Sequence, residues 1–355
     1  MIGGTLPGAG NQIATSEFDG VHIRDASNNV VQGNLIGTDA TGTQALGNGN
    51  NGVVIVENAN NNLIGGTTPG ARNIISGNVV GGVGIATQSM GNIVRGNFVG
   101  TDVTGAQPLG NNIGVFVFEA SDNIIGGEMP GAGNVIAANV TNGVEINGSS
   151  TSNNRIEGNF IGTESSGMKM LGNGASGIAI FNEASENMIK GNVISNNDLV
   201  GIRFVVNGSG NAILSNSIHS NGGIGIDLLG DGITVNDEGD QDTGPNGLQN
   251  FPILTSLTVN DGSVNIEGSL NSISNVTFIL EFFSNPACDP SGHGEGERFV
   301  GSTIVSTNIN GNINFTANFP AMDLAGDWIT ATATDSTNNT SEFSKCALLT
   351  GDESN

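Results

Sequence analysis

One phrase limits what this chain can fold into: a glycine, an aliphatic residue, any residue, then a second apolar residue. It occurs at Gly20-Val21-His22-Ile23, Gly52-Val53-Val54-Ile55, Gly82-Val83-Gly84-Ile85, Gly114-Val115-Phe116-Val117 and Gly143-Val144-Glu145-Ile146, then at Gly177-Ile178-Ala179-Ile180, Gly201-Ile202-Arg203-Phe204 and Gly223-Ile224-Gly225-Ile226. Up to Gly177 the copies follow one another at intervals of about 30 residues, and beyond it the interval shortens as loops drop out. A second phrase, Asn-x-aliphatic-x-Gly-Asn-x-aliphatic, follows the first at Asn29 to Ile36, Asn92 to Val99, Asn154 to Ile161 and Asn187 to Ile194, and in degenerate form at Asn211 to Ile218. Alternation with period two marks short strands with one buried face. Three such strands between Gly and Asn corners make one coil, and no coil buries its aliphatic side alone, so the coils must stack.

Two kinds of loop interrupt the coils in alternation. Gly37-Thr38-Asp39 through Gly47-Asn48 returns at 100–111 and 162–173, while Ile64-Gly65-Gly66-Thr67-Thr68-Pro69-Gly70 returns at 125–131 and has a first copy at 2–8. Two coils therefore make up one super-repeat, and the chain opens partway through a coil. On this basis it is expected to be a piece of a longer protein.

Stacking about 4.8 Å apart places Val31, Ile64, Val94, Ile125, Ile156 and Ile189 in one interior column. Ile23, Ile55, Ile85, Val117, Ile146, Ile180, Phe204 and Ile226 are expected in another. Asparagines at equivalent corners are placed to pass amide hydrogen bonds from coil to coil. Fifty-seven glycines exclude a mainly helical chain, because each costs about 1 kcal/mol in a helix interior. The expected fold is all-β, with a parallel β-helix solenoid of about eight coils over residues 1–254.

These coils resemble the right-handed parallel β-helix repeat proteins of the pectate-lyase-like superfamily, in particular those with NosD-type repeats found in bacterial surface and secreted proteins. The resemblance implies a right-handed solenoid. It also raises polysaccharide lyase or glycoside hydrolase activity on an extracellular polysaccharide as the alternative to a structural, adhesive or glycan-binding role.

Near Phe251-Pro252-Ile253-Leu254 the pattern changes. Longer alternating runs at Val264 to Leu270, Val276 to Ser284, Arg298 to Thr307, Asn312 to Phe319, Asp327 to Asp335 and Ser341 to Leu349 predict an antiparallel β-sandwich over 255–355. Leu280 to Asn285 and Ile329 to Asp335 resemble bacterial immunoglobulin-like modules, and Trp328 is expected in the sandwich core. Cys288 and Cys346 both fall here, and two cysteines in one module of an exported chain favour a structural disulfide.

Thirty-three acidic residues against nine Lys and Arg give a net charge of −24, so nucleic acid would be repelled over most of the surface. No stretch approaches 18 consecutive apolar residues, so no membrane span is expected, and the first residues lack the basic and apolar segments of an export signal. Location outside a bacterial cell, in secreted or surface-bound form, is the expectation.

The densest candidate site is the acidic junction 227–250. Asp227, Asp231, Asp237, Asp240 and Asp242 repel one another unless a cation gathers them, and oxygen donors on a glycine-rich loop suit Ca²⁺. Asp240-x-Asp242-x-Gly244 resembles the start of a calcium loop but departs from the EF-hand pattern, with Gly at 244 and Phe251 where Glu belongs. A solvated acidic loop capping the solenoid is the other reading. No catalytic site is assigned. On the first strand the outward column reads His22, Val54, Gly84, Phe116, Glu145, Ala179, Arg203 and Gly225. Within it Glu145 and Arg203, two coils or about 10 Å apart, are the only alternative acid–base candidates. Phe116, Phe118 and Phe181 form either an exposed platform for a sugar ring or interior filling. Extracellular polysaccharide or cell-surface glycan is the expected partner class.

Overall fold

The computed structural model describes residues 1–260, 262–320, 324 and 326–350. From Ile2 to Asp227 the chain forms three parallel sheets of eight strands, each coil adding one strand to each sheet. Sheet A runs from Ile2–Gly3 to Ala212–Leu214, sheet B from Gln12–Ile13 to Ser217–His219, and sheet C from Val21–Arg24 to Ile226–Asp227. The first expected column is present in register: Val31, Ile64, Val94, Ile125, Ile156 and Ile189 pair in succession and are completely buried. The second is present from Ile23 to Phe204.

Its last member is corrected. Ile226 pairs with Ile202, and Asp227 rather than Gly225 lies beside Arg203. The run Gly-Ile-Gly-Ile-Asp-Leu contains the repeat phrase twice, the second copy beginning at Gly225. The Ile202 amide donates to Gly225, so the second copy is the one used, and Leu228 enters the core after Phe204.

Three asparagine ladders run along the corners. One joins Asn29, Asn62, Asn92, Asn123, Asn154, Asn187 and Asn211. Another runs from Asn11 through Asn34, Asn73, Asn97, Asn134, Asn159 and Asn192 to Asn216. The third runs from Asn48 through Asn78, Asn111, Asn139 and Asn173 to Asn197 and Asn221. In each step the amide of one coil donates to the carbonyl of the next, at 2.8–3.2 Å. Glycine serves the corners by its conformation: Gly96 has φ +66°, and a Cβ there would stand 1.9 Å from the Gly66 carbonyl.

Ladder polarity leaves the final coil with spare N–H donors, and the C-terminal module supplies acceptors. Glu281 accepts from the amide and hydroxyl of Ser215, Glu295 from the amides of Ser220 and Asn221, and Glu342 from the amides of Leu228 and Thr234. Phe283 and Phe343 join the β-helix core over that end. This arrangement covers an edge that would otherwise offer unpaired backbone groups.

The module itself has two antiparallel sheets. One pairs Ile253–Asn260 with Ser263–Asn271 and Asn312–Pro320; the other orders Arg298–Ser306, Thr277–Asn285, Trp328–Asp335 and Ala347–Leu348. Val264, Ile266, Phe278, Leu280, Phe282 and Ile329 pack between them. The strand expected from Ser341 to Leu349 shrinks to Ala347–Leu348, because Glu342 and Phe343 turn away to the β-helix end. Trp328 is half-buried and stands outside the apolar cluster. Cys288 and Cys346 are bonded, closing a separation of 58 residues.

Candidate functional site

On the outer face of sheet C, Glu145 and Arg203 flank Ala179 in register, as the repeat implies. They do not converge on a common point. Glu145 accepts a 2.8 Å hydrogen bond from Asn142 beside it, and the Arg203 guanidinium lies against Gly230 of the junction. Phe116, Phe118 and Phe181 point outward. The Phe116 ring covers Gly84, where a Cβ would stand 2.2 Å from its Cζ, and Phe118 is exposed.

The junction divides the five aspartates. Asp237, Asp240 and Asp242 bring carboxylate oxygens within 4.8 Å of one another, which suits sharing a proton or a hard cation. One oxygen of Asp242 is buried without a hydrogen-bond partner. Burial, reinforced by Asp242 and Asp237, pushes the Asp240 carboxyl up to about 6. Asp237 accepts from the amides of Gln241 and Asp242, and Asp240 from the Asn250 amide and the Ser272 hydroxyl; Asp227 accepts from the amides of Leu229, Gly230 and Gly232, and exposed Asp231 stands outside the trio. Three acidic residues of the longer inserted loops have a local role. Asp39 accepts from the amides of Thr43 and Gln44, Asp102 from those of Thr104, Ala106 and Gln107, and Glu164 from those of Ser166 and Met168.

The feature missed in the sequence is the outer face of sheet B. Leu35, Ile74, Phe98, Val135, Phe160 and Val193 stack there in register, outside the main core; Ile74, Phe98 and Val135 are buried beneath the flanking loops, and Leu35, Phe160 and Val193 are half-buried. The signal was a doubled apolar residue, as in Leu35-Ile36, Phe98-Val99 and Phe160-Ile161, where strict alternation would put a polar one. The two loop families wall this stripe. Proline-containing loops stand on its sheet A side in alternate coils, and the longer loops close over it from the sheet C side in the coils between, with Gly42 packed on Leu35 and Gly105 on Phe98.

Gaps remain over the coils of Ile74 and Val135, which carry no longer loop. Each gap is a cavity. The first, about 350 Å³, is lined by Leu6, Pro7, Leu35, Pro69, Ile74 and Val103; the second, about 540 Å³, by Phe98, Met129, Pro130, Val135, Phe160 and Lys190. Arg72 lines both. Its Cζ sits 3.9 Å from the Phe98 ring centroid and its Nε donates to the Gly96 carbonyl at 3.2 Å. Lys190 is held by Glu128 at 2.7 Å, and this bond to Lys190 draws the Glu128 carboxyl below its usual range.

Residues 99–250 match the family model described as the right handed beta helix region. With the three parallel sheets, this makes the fold a right-handed parallel β-helix of about eight coils followed by antiparallel sheets. No curated protein matches the chain. Among solved structures it is similar to full-length tailspike protein 2 of Escherichia coli O157:H7 bacteriophage CAB120, at 12% identity and a TM-score of 0.32, covering 96% of this chain. The chain spans 60% of that tailspike's length. No helix among the described residues is long and apolar enough to cross a membrane.

Proposed function

We propose that this chain is part of an exported bacterial surface protein in which a β-helix rod binds an extracellular or cell-surface glycan along the outer face of sheet B. The observation that carries the reading is the walled apolar furrow with half-buried Phe160 in its floor and two cavities in line along the rod axis. Aromatic and aliphatic surface suits the C–H faces of sugar rings. The Cys288–Cys346 bond accords with an oxidising location.

Binding without turnover fits the groups present. Glycoside hydrolysis uses two carboxyl groups across the scissile bond, and Glu128 is the only carboxylate lining either cavity among the described residues, already engaged by Lys190. As a second element of this reading, a Ca²⁺ ion on Asp237, Asp240 and Asp242 would relieve their mutual repulsion and brace the junction.

A glycan array with the intact chain tests the main reading. Retained glycans should lose at least tenfold in affinity on Phe160→Ala, with turnover undetected. Turnover lost on replacing Glu145 or Arg203 would install the lyase or hydrolase reading instead.

A further inference from the structure

The two cavities are copies of one site, displaced by one super-repeat. Leu35, Pro69, Gly70, Ile74 and Val103 of the first correspond to Phe98, Pro130, Gly131, Val135 and Ser165 of the second, and each of these lines its cavity. Successive copies lie two coils apart, or about 10 Å along the rod. Two linked pyranose rings cover that span when extended.

Cationic groups are distributed unequally over this row. The proline-loop position held by Arg72 is Gly10 in the copy before and Gly133 in the copy after. Arg72 therefore stands alone on the boundary between two cavities. Its Nε is used, its guanidinium stacks on the Phe98 ring, it lines both cavities, and no carboxylate lies within 4.0 Å of it among the described residues. A guanidinium on an aromatic face, without a carboxylate partner, is a local attraction for an anion in a chain whose net charge of −24 otherwise disfavours one. That net charge also limits how many anions the ligand carries. Among the described residues lining the two cavities, Arg72 is the cation without a carboxylate partner, since Lys190 is engaged by Glu128, so a charge on every sugar would leave most of them uncompensated.

Resting on the glycan reading above, we infer that the ligand is a heteroglycan whose repeat is two sugars, or a multiple of two, with no more than one carboxylate per disaccharide, and that Arg72 receives one such carboxylate. Neutral sugars of the repeat lie over Ile74 and Val135. A homopolymer of acidic sugars fits neither the spacing nor the charge.

Calorimetric titration of the intact chain tests this with four probes: oligosaccharides of alternating hexuronate and neutral hexose, two to eight units long; the same compounds with the carboxyl groups reduced to alcohols; a homopolymeric oligouronate; and a neutral β-glucan oligosaccharide. The alternating acid should bind at least tenfold more tightly than its reduced form and than the oligouronate, with affinity rising as the chain grows from two to four units. Arg72→Gln should erase the preference over the reduced form, and Arg72→Lys should restore part of it, with both variants melting as the parent does. Equal binding of the acidic and reduced forms, or tightest binding by the oligouronate, would overturn the inference while the glycan reading stands. Failure of all four probes would overturn both.

Discussion

Removing one ladder amide from mid-rod should cost far more than removing one at the end. Asn134 is completely buried. Its Nδ2 donates to Asn159 Oδ1 and to the Val94 carbonyl, each at 2.9 Å, and its Oδ1 accepts from both the amide and the Nδ2 of Asn97 at 3.0 Å. In Asn134→Ala the backbone amide of Asn97 loses its acceptor away from water, at a cost of about 1–3 kcal/mol, and three further bonds of about 1 kcal/mol each are lost or weakened. Some relaxation is expected, so the loss should be about 3–5 kcal/mol. Asn29 ends its ladder in a part-exposed setting: its amide donates to Asn62 Oδ1, and no other ladder residue donates to its side chain. Asn29→Ala should cost less than about 1 kcal/mol. Urea unfolding followed by far-ultraviolet circular dichroism reads the rod, while Trp328 fluorescence reads the C-terminal module separately. Indistinguishable unfolding free energies for the two variants would refute the claim that the ladders hold the coils together.

The cap should make stability fall as pH rises. Burial pushes the Glu342 carboxyl up to about 7, with Asp227 adding to the effect, and burial raises Glu281 and Glu295 as well. The folded chain thus keeps protons that the unfolded chain releases above about 4.5, so this contribution is full below that pH and is lost on the way to about 7. Melting temperature should be lower at pH 8 than at pH 5, and Glu342→Gln should flatten the decline; a parent curve that rises across this interval contradicts it. For the junction, millimolar Ca²⁺ at pH 7.5 should raise the melting temperature relative to chelator, by about 2.7 kcal/mol of stability if the ion is present at about a hundred times its dissociation constant. Asp242→Asn should remove the difference, and identical melts with Ca²⁺ and chelator would end the calcium proposal.

The rod is legible in its sequence because a solenoid makes long-range structure local. Ile64 meets Val94 and Ile125 only because each repeats the same short phrase, so periodicity alone supplies the register. The slip in that register falls where the phrase overlaps itself, between Gly223 and Asp227, and pattern without coordinates cannot choose between two glycines that both fit. The junction is legible as a cluster of charge, but not in its division. Whether an aspartate accepts amides of its own turn, as Asp227 does, or reaches to the Asn250 amide and the Ser272 hydroxyl, as Asp240 does, depends on loop geometry that follows no repeat.

The furrow is harder to see for a different reason. Each of its residues appears in the sequence as an ordinary member of an apolar pair, and whether a cavity forms there depends on what covers it. Gly42 and Gly105 pack over Leu35 and Phe98 in their own coils, while Ile74 and Val135, themselves buried, line the cavities left between successive longer loops, so loop alternation and not side-chain identity sets where the cavities fall. The same logic accounts for the cap. Glu281, Glu295 and Glu342 are scattered through a module whose strands alternate normally, and nothing in that alternation marks them as the acceptors the last coil requires. A ladder whose donors all point one way must end on acceptors, and that rule would have directed a search for acceptors after Asn221 before any coordinates were known; the Asn246 side chain meets Asn211 and Glu295 meets Asn221.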